Sequence, residues 1–228
     1  MKAVAIIVAA GVGRRLRARV RKAFVPLGGR PMLCWTLKSL EKAPSVQGVV
    51  VAVHPRDHKR VQALVRSFRF RKVRWVVAGG DSRMESVFLG LKAVPSDHRW
   101  VLVHDAARPF VSPELIERTL HAARRFKAAI AAVPVVPTIK RGRDGWVAQT
   151  LDRNHLWAAQ TPQAFDRQLL ERAHARGMAR GREATDDAAL VEALGHRVRL
   201  VPGESRNLKV TTPEDLVIAE ALLKTKGV

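Results

Sequence analysis

The stretch KAVAIIVAAGVG, residues 2–13, decides the fold class. Residues 2–9 form a nearly continuous apolar run that ends at glycine, which is typical of a strand buried on both faces of a parallel sheet. Similar runs predict further strands at residues 46–53, 73–77, 99–104 and 128–133. Together these runs predict a mostly parallel central sheet.

Helical patterns lie between the predicted strands. Apolar residues recur at helical spacing within residues 31–42 and 58–68. Ser82 and Glu85 have the spacing of a capping box, and Ser112 precedes a proline, as at the start of a helix. Strands that alternate with helices form right-handed βαβ units. The predicted fold class is therefore α/β, with a doubly wound, mostly parallel, Rossmann-like sheet.

The alternation ends after residue 133. Residues 138–152 consist of two extended segments around the polar turn RGRDG, which predicts a β-hairpin. A hairpin has no obvious place in a parallel sheet, so we expect it to project as an arm. Helical patterns return at residues 166–176, at residues 186–194 and from residue 212 onwards. Since no repeat or linker interrupts the chain, the sequence predicts one domain, residues 1–228.

The composition is that of an ordinary globular protein. The 228 residues are 47% hydrophobic and 27% charged, which excludes a disordered chain and a miniprotein. The one cysteine, Cys34, excludes an intramolecular disulfide and a multi-cysteine zinc site. No apolar run approaches the length of a membrane span, and the first residues do not resemble a signal peptide. We therefore expect a cytoplasmic protein without a membrane partner.

The net charge of +21 is unusual. It favours polyanionic partners such as nucleotides or nucleic acid, although a GC-rich genome would also enrich arginine. A nucleic-acid-binding protein would interleave aromatic side chains with its basic ones. Aromatic residues make up only 5% of the chain, which argues against that function.

The first predicted strand leads into a glycine-rich turn. Gly11 and Gly13 would let backbone amides approach a phosphate, and Arg15 adds positive charge. The turn lacks the Gly-Lys-Ser/Thr of a Walker A loop, and Leu16 occupies the third glycine position of a dinucleotide fingerprint. A tight turn with solvated arginines remains an alternative. Taken alone, Lys22 also fits a surface lysine better than a catalytic one.

The fourth predicted strand ends in His104 and Asp105. A carboxylate at the carboxyl end of a central strand lies where α/β sheets bind ligands, and Asp105 would suit Mg²⁺ together with substrate phosphates. His104 points to the opposite face, so we interpret it as structural. The segment 79–86 joins a strand to a helix, and its amides with the Ser86 hydroxyl would suit the edge of a base.

Seven short motifs together resemble the 2-C-methyl-D-erythritol 4-phosphate cytidylyltransferase family, and they span nearly the whole chain in the family's order. They are AAGVGRRL (residues 9–16) with Lys22, GGDSR (79–83) with Ser86, LVHDAARP (102–109), DRN (152–154), QTPQ (160–163), TDD (185–187) and NLKVT (207–211).

The resemblance implies a reaction between CTP and 2-C-methyl-D-erythritol 4-phosphate, which releases pyrophosphate during non-mevalonate isoprenoid synthesis. It implies Mg²⁺ held by Asp105 and a homodimer in which the arm crosses to the second subunit. The implied catalytic residues are Arg15, Lys22 and Lys209. The implied nucleotide-binding residues are Ala9, Ala10, Gly11, Gly13, Gly80, Asp81 and Ser86. The implied residues for the polyol phosphate are Arg108, Thr138, Arg153, Thr161 and again Lys209.

Two other functions remain open, and the sequence differs from the family's usual pattern at one residue. Cytidylyltransferases that use ribitol 5-phosphate resemble the family in nearly every motif, so the acceptor stays open between two polyol phosphates. A basic nucleic-acid-binding protein is a more distant alternative. The chain departs from the family at Arg21, because the residue before the implied catalytic lysine is usually proline.

Overall fold

The computed structural model describes residues 2–11, 13–16, 18, 20–181 and 184–225. Its centre is a seven-stranded sheet. The sheet strands are β1 (Ala3–Ala9), β4 (Val46–Val53), β5 (Val73–Ala78), β6 (Trp100–Asp105), β7 (Ala128–Pro134), β10 (Trp157–Asp166) and β11 (Arg199–Pro202). Their order across the sheet is β11-β7-β10-β6-β1-β4-β5. The strands are parallel except β10, which runs antiparallel to both of its neighbours.

Helices cover both faces of the sheet, as a doubly wound fold requires. The helices are α1 (Met32–Lys42), α2 (His58–Ser67), α3 (Arg83–Lys92), α4 (Pro113–Phe126), α5 (Arg167–Ala179), α6 (Asp187–Glu192) and α7 (Pro213–Lys224). Ala3, Ala5 and Ile7 of β1 face one apolar core, and Val4 and Ile6 face the other. The first core includes side chains of α1, α2 and α4, and the second includes side chains of α3, α5 and α6. The predicted fold class is confirmed.

The five predicted strands all form, each within one residue of its predicted ends. The sequence did not predict β10 or the edge strand β11. Residues 160–165 of β10 are buried, but Gln160, Thr161 and Gln163 interrupt the apolar run that marks the parallel strands. The short pair β2 (Pro26–Leu27) and β3 (Arg30–Pro31) was also not predicted.

Residues 138–152 contain a two-stranded hairpin, as predicted, and its projection as an arm stays a prediction. Strands β8 (Ile139–Arg143) and β9 (Trp146–Leu151) pair with each other and form a sheet of their own. Asp144 and Gly145 form the turn, with φ angles of 52° and 84°, which is the backbone that Asp-Gly favours in tight hairpins. The turn is therefore tighter than the five-residue segment predicted.

Within the described residues, no helix is both long and apolar enough to cross a membrane.

Candidate active site

A cavity of about 630 Å³ opens at the carboxyl ends of β1, β5 and β6. Parallel strands bring the loops that follow them to one edge of the sheet, and this edge is where α/β folds bind ligands. The cavity wall contains eleven residues that the sequence predicted for catalysis, nucleotide or metal: Ala9, Ala10, Gly11, Gly13, Arg15, Lys22, Gly80, Asp81, Ser86, Asp105 and Lys209.

The glycine-rich turn forms one side of this cavity. Gly13 has a φ of +74°, and a Cβ there would lie 2.8 Å from the Cβ of Lys22. Both the backbone angle and the close approach therefore require glycine. A Cβ on Gly11 would meet nothing within 4 Å, so the backbone there is open to a ligand. Val12 lies outside the described residues.

The segment between β5 and α3 forms the opposite side. The Gly80 amide donates to the Ser86 hydroxyl at 3.1 Å, and this hydroxyl donates to the Ser82 carbonyl at 2.9 Å. The predicted capping box is only half formed. Ser82 does accept from the Glu85 amide, but the Glu85 carboxylate accepts from the Asp81 amide instead of the Ser82 amide. The carboxylate thus reaches one residue further back than in a complete capping box.

Two cations hold the carboxylate of Asp105. Arg83 Nε lies 3.2 Å from one oxygen and Lys209 Nζ lies 2.6 Å from the other. Burial alone would raise the pKa of Asp105, but these two cations lower it well below its usual range. Asp105 is therefore an anion on the cavity wall at neutral pH.

Arg83 and Asp187 are site residues to which sequence reasoning assigned no role. Arg83 bridges Asp105 and Asp187, and its Nη1 lies 2.8 Å from the buried Asp187 carboxylate. Asp187 also pairs with the buried His174 at 3.0 Å. Burial would lower the pKa of Arg83, but the two carboxylates raise it instead. The available signals were the positions of Arg83 in the motif GGDSR and of Asp187 in the motif TDD.

Asp105 is suited to be the ligand that the protein contributes to a magnesium site. Mg²⁺ is usually bound by one or two carboxylates together with substrate phosphates. Within the part of the chain that the structure describes, no group of three or more His, Cys, Asp and Glu side chains could hold a metal. A metal at Asp105 would therefore need ligands from a nucleotide. A metal there would share the Asp105 carboxylate with Lys209 and Arg83, or displace one of them.

Arg108 and Thr161 lie behind Asp105 and do not line the cavity. The Asp105 amide donates to the Thr161 hydroxyl at 3.1 Å, and this hydroxyl also bonds His104 Nδ1 at 3.0 Å. The Arg108 guanidinium donates to the carbonyls of Asn207 and Ala159. These bonds fasten the end of β6 to β10 and to the segment that carries Lys209.

His104 is fully buried, in agreement with a structural role. Burial lowers the pKa of His104 to about 4, so the ring is neutral at neutral pH. Its Nε2 faces the Arg108 carbonyl at 3.2 Å and must carry the proton. Nδ1 is then an acceptor, and the Thr161 hydroxyl donates to it.

Thr138 and Arg153 are exposed at the base of the arm and do not line the cavity of their own chain. Arg153 lies in a single 3₁₀ turn, Arg153–His155, and donates to the Val136 carbonyl. The structure therefore does not bring these two predicted residues together with Lys22 or Asp105 in one chain.

A second cleft of about 730 Å³ lies at the opposite, amino-terminal edge of the sheet, beside the start of α5. Two of its four Lys and Arg side chains are paired within the cleft, Arg99 with Asp166 and Arg167 with Glu171. It contains none of the residues predicted for the site. We therefore place the candidate active site in the smaller cavity.

The cavity makes Lys22 sensitive to pH. Burial, followed by the nearby Lys209, lowers the pKa of Lys22 to about 8. A lysine is charged below its pKa, so Lys22 of the free chain should lose its charge as the pH rises through this value. If catalysis depends on a charged Lys22, we expect kcat/KM to fall by up to about tenfold per pH unit above this pH, because kcat/KM reports ionisations of the free enzyme.

A pH profile of kcat/KM with Lys22→Arg provides the control. Arginine stays charged throughout this range, so the variant should lose the alkaline decline even if its activity is lower. An equal decline in both proteins would assign it to another group.

A glycine-rich turn with open backbone, clustered cations and the carboxylates of Asp81 and Asp105 at the edge of a doubly wound sheet are typical of a nucleotide-handling enzyme of the nucleotidyltransferase type. The model of the 2-C-methyl-D-erythritol 4-phosphate cytidylyltransferase family matches residues 3–225. The chain belongs to this family.

Relatives of that name resemble the chain over nearly its whole length. The protein from Desulforamulus reducens is 45% identical over 226 residues, which cover 98% of this chain and 97% of the relative. The protein from Synechococcus elongatus is 46% identical over 223 residues, with coverages of 97% and 96%.

Solved structures agree with this assignment. The crystal structure of 2-C-methyl-D-erythritol 4-phosphate cytidylyltransferase from Thermus thermophilus is 38% identical, with a TM-score of 0.80 over 96% of this chain and 98% of that one. The crystal structure of 4-diphosphocytidyl-2C-methyl-D-erythritol synthase from Anaerococcus prevotii is 33% identical, with a TM-score of 0.87 and 98% of both chains covered.

Proposed function

We propose that this chain joins CTP and 2-C-methyl-D-erythritol 4-phosphate to form 4-diphosphocytidyl-2-C-methyl-D-erythritol and pyrophosphate, a step of isoprenoid precursor synthesis. Membership of the family supports the reaction. The observation that carries it is the cavity itself, whose wall holds an ionised Asp105 in contact with Lys209, together with the cations Arg15 and Lys22.

In this proposal the cavity binds and orients the triphosphate. An oxygen of the acceptor phosphate attacks the α-phosphorus of CTP, the bond to the β-phosphate breaks, and pyrophosphate leaves. Such transfers need positioning and charge stabilisation more than proton transfer. The open backbone at Gly11 approaches the phosphates, and Arg15 and Lys22 stabilise charge on the transferring and leaving groups. Gly80, Asp81 and Ser86 lie at the far side, where the cytosine would bind.

Asp105 would hold Mg²⁺ together with the triphosphate. A metal bound there supplies positive charge to the phosphates and fixes their geometry. Arg83, anchored by Asp187, keeps the carboxylate ionised and oriented. Lys209 pairs with Asp105 in the free chain and is near enough to bind the acceptor phosphate once that pair opens.

We further propose that the polyol phosphate is bound by two chains of a homodimer. Lys209 comes from the chain that binds CTP, where Arg108 and Thr161 support the site from behind, whereas Thr138 and Arg153 come from the arm of the other chain. Trp146 and Val147 of the arm are 80% and 64% exposed, and among the described residues its two strands pair only with each other. A two-stranded hairpin alone is marginally stable in water, so a second subunit is the natural support for this one.

A mixing experiment tests the shared site. Arg153→Ala and Lys22→Ala should each be nearly inactive. After dissociation and reassociation, a mixed dimer has one site with both lesions and one with neither. Activity should then recover to roughly a quarter of wild type, because half of the dimers are mixed and half of their sites are intact. No recovery, despite mass-spectrometric proof of exchange, would mean that Arg153 acts within its own chain.

A pyrophosphate-release assay with four nucleoside triphosphates against two polyol phosphates tests the reaction at equal Mg²⁺. We expect the highest kcat/KM for CTP with 2-C-methyl-D-erythritol 4-phosphate. Faster turnover of ribitol 5-phosphate would identify that compound as the acceptor and leave the cytidylyltransferase assignment in place. Absence of turnover with every pair would overturn the proposal.

We also propose that the protein acts in the cytoplasm. Cys34 is its single cysteine and is buried, and burial raises the pKa of the thiol to about 12, so it is suited to a core position rather than a disulfide. Fractionation of cells with an antibody to this protein would test the location.

A further inference from the structure

Arg21 and Asp57 form an ion pair at the edge of the active-site cavity. Arg21 directly precedes Lys22, and Asp57 ends the 3₁₀ turn Pro55–Asp57 that follows β4. Arg21 Nη1 lies 3.3 Å from each oxygen of the Asp57 carboxylate. The side chains are 25% and 9% exposed. The pair therefore connects the loop of Lys22 to the turn that follows β4.

The carboxylate of Asp57 is buried and depends on Arg21 for charge compensation. It occupies the N-cap position of α2, but its carboxylate caps no amide of that helix. Among the described residues, Arg21 is the only cation that forms an ion pair with this carboxylate. Removing a carboxylate from water is costly unless a charge or hydrogen bonds compensate it. Asp57 is thus an anchor for Arg21 rather than a helix cap.

The pair holds the turn that carries Lys22. Arg21 is the N-cap of the turn Lys22–Phe24, and its carbonyl accepts from the Phe24 amide. Phe24 is buried, and the Arg60 guanidinium of α2 lies 4.1 Å from the centre of its ring. Two contacts from neighbouring segments, Asp57 and Arg60, therefore fix the two ends of this turn. Between them Lys22 packs against Gly13 and lines the cavity.

We propose that Arg21 is a positioning residue, which through its pair with Asp57 holds Lys22 in place for the triphosphate. This inference rests on the proposed function for its kinetic consequence. Arg21 itself does not line the cavity, so its effect on turnover passes through Lys22. Removing one member of an ion pair costs far more stability when the remaining partner is buried than when both members are exposed, because a buried charge is left without compensation.

The kinetic test compares Arg21→Gln, Asp57→Asn and the double variant with Arg56→Gln. Arg56 lies in the same 3₁₀ turn as Asp57 and is exposed, so its replacement removes one charge from the same place without breaking the pair. Each pair variant should lower kcat/KM for CTP about tenfold, and the double variant should lose no more than either single one. The KM for the polyol phosphate and the activity of Arg56→Gln should stay unchanged.

Combination with Lys22→Ala separates positioning from general support of the fold. If Arg21 acts through Lys22, then Arg21→Gln should have no further effect on kcat/KM for CTP when Lys22 is replaced by alanine. A similar tenfold loss in that background would overturn the inference. Arg21→Lys should restore part of the activity, because it restores the charge but not the planar guanidinium.

Proteolysis gives a readout that does not depend on turnover. Endoproteinase Lys-C cleaves after lysine, so cleavage after Lys22, followed by mass spectrometry, reports the order of this turn. Arg21→Gln and Asp57→Asn should be cleaved there several-fold faster than wild type and Arg56→Gln, at temperatures well below each Tm. If wild type lacks cytidylyltransferase activity, the proposed function fails while this measurement still tests the pair. Equal cleavage in all four proteins would overturn the pair's role.

Discussion

Replacing Asp105 with asparagine should reduce kcat by about three orders of magnitude and raise the Mg²⁺ concentration needed for half-maximal activity. The amide keeps the shape of the side chain but loses its charge, and a neutral amide is a poor ligand for a hard cation. It also leaves Lys209 without the carboxylate that it contacts at 2.6 Å. Initial rates over a Mg²⁺ titration at saturating CTP would measure both effects.

The fold should survive this substitution. Arg83 keeps its second partner, Asp187, at 2.8 Å, and the backbone amide of residue 105 still donates to Thr161. Asp97→Asn is the matched control, because its side chain is 78% exposed and does not line the cavity. An Asp105→Asn variant with unchanged Mg²⁺ dependence would contradict the metal assignment.

The sequence predicted the parts of the site that lie close to the ends of buried parallel strands. The apolar run of β1 identifies the loop with Gly11 and Gly13, and the run of β6 identifies Asp105. Parallel strands place such loops side by side, so a strand pattern is enough to bring them together. Lys209 follows no predicted strand, and only the family resemblance assigned it to the site.

The sequence could not show which polar groups face the cavity and which support it from behind. Thr161 and Arg108 belong to family motifs, but their hydrogen bonds run to His104, Asn207 and Ala159. Thr161 and Arg108 are remote in sequence from most of these partners. They come together because β10, the one antiparallel strand of the sheet, lies beside β6. The polar residues of β10 interrupt the apolar run by which a buried strand is predicted.

Arg83 was missed for a related reason. Its position in a capping-box pattern accounts for the start of α3 and gives no sign of an ion pair. The pairs with Asp105 and Asp187 depend on α3, β6 and α6 meeting in three dimensions. Periodicity predicts each of these elements separately but does not predict the angle at which their ends meet.

Lys22→Ala should lower kcat by two or more orders of magnitude, equivalent to about 3 kcal/mol of transition-state stabilisation, with the fold intact. Lys22 faces the cavity beside Arg15, Lys209 and Asp105, where the proposed reaction builds negative charge on phosphate oxygens. Its partial burial strengthens this interaction, because a charge removed from water is less screened. Single-turnover rates with saturating CTP would separate the chemical step from product release.

Lys59→Ala is the control for this variant, because Lys59 is exposed on α2 and outside the cavity. It removes the same charge and should leave kcat unchanged. Arg15 and Lys209 remain in Lys22→Ala, so CTP should still bind, with a weaker affinity and a greater loss in kcat than in binding. If kcat of Lys22→Ala is within threefold of wild type, Lys22 serves only as a cavity charge, and stabilisation of the transferring phosphate must come from Arg15 and Lys209.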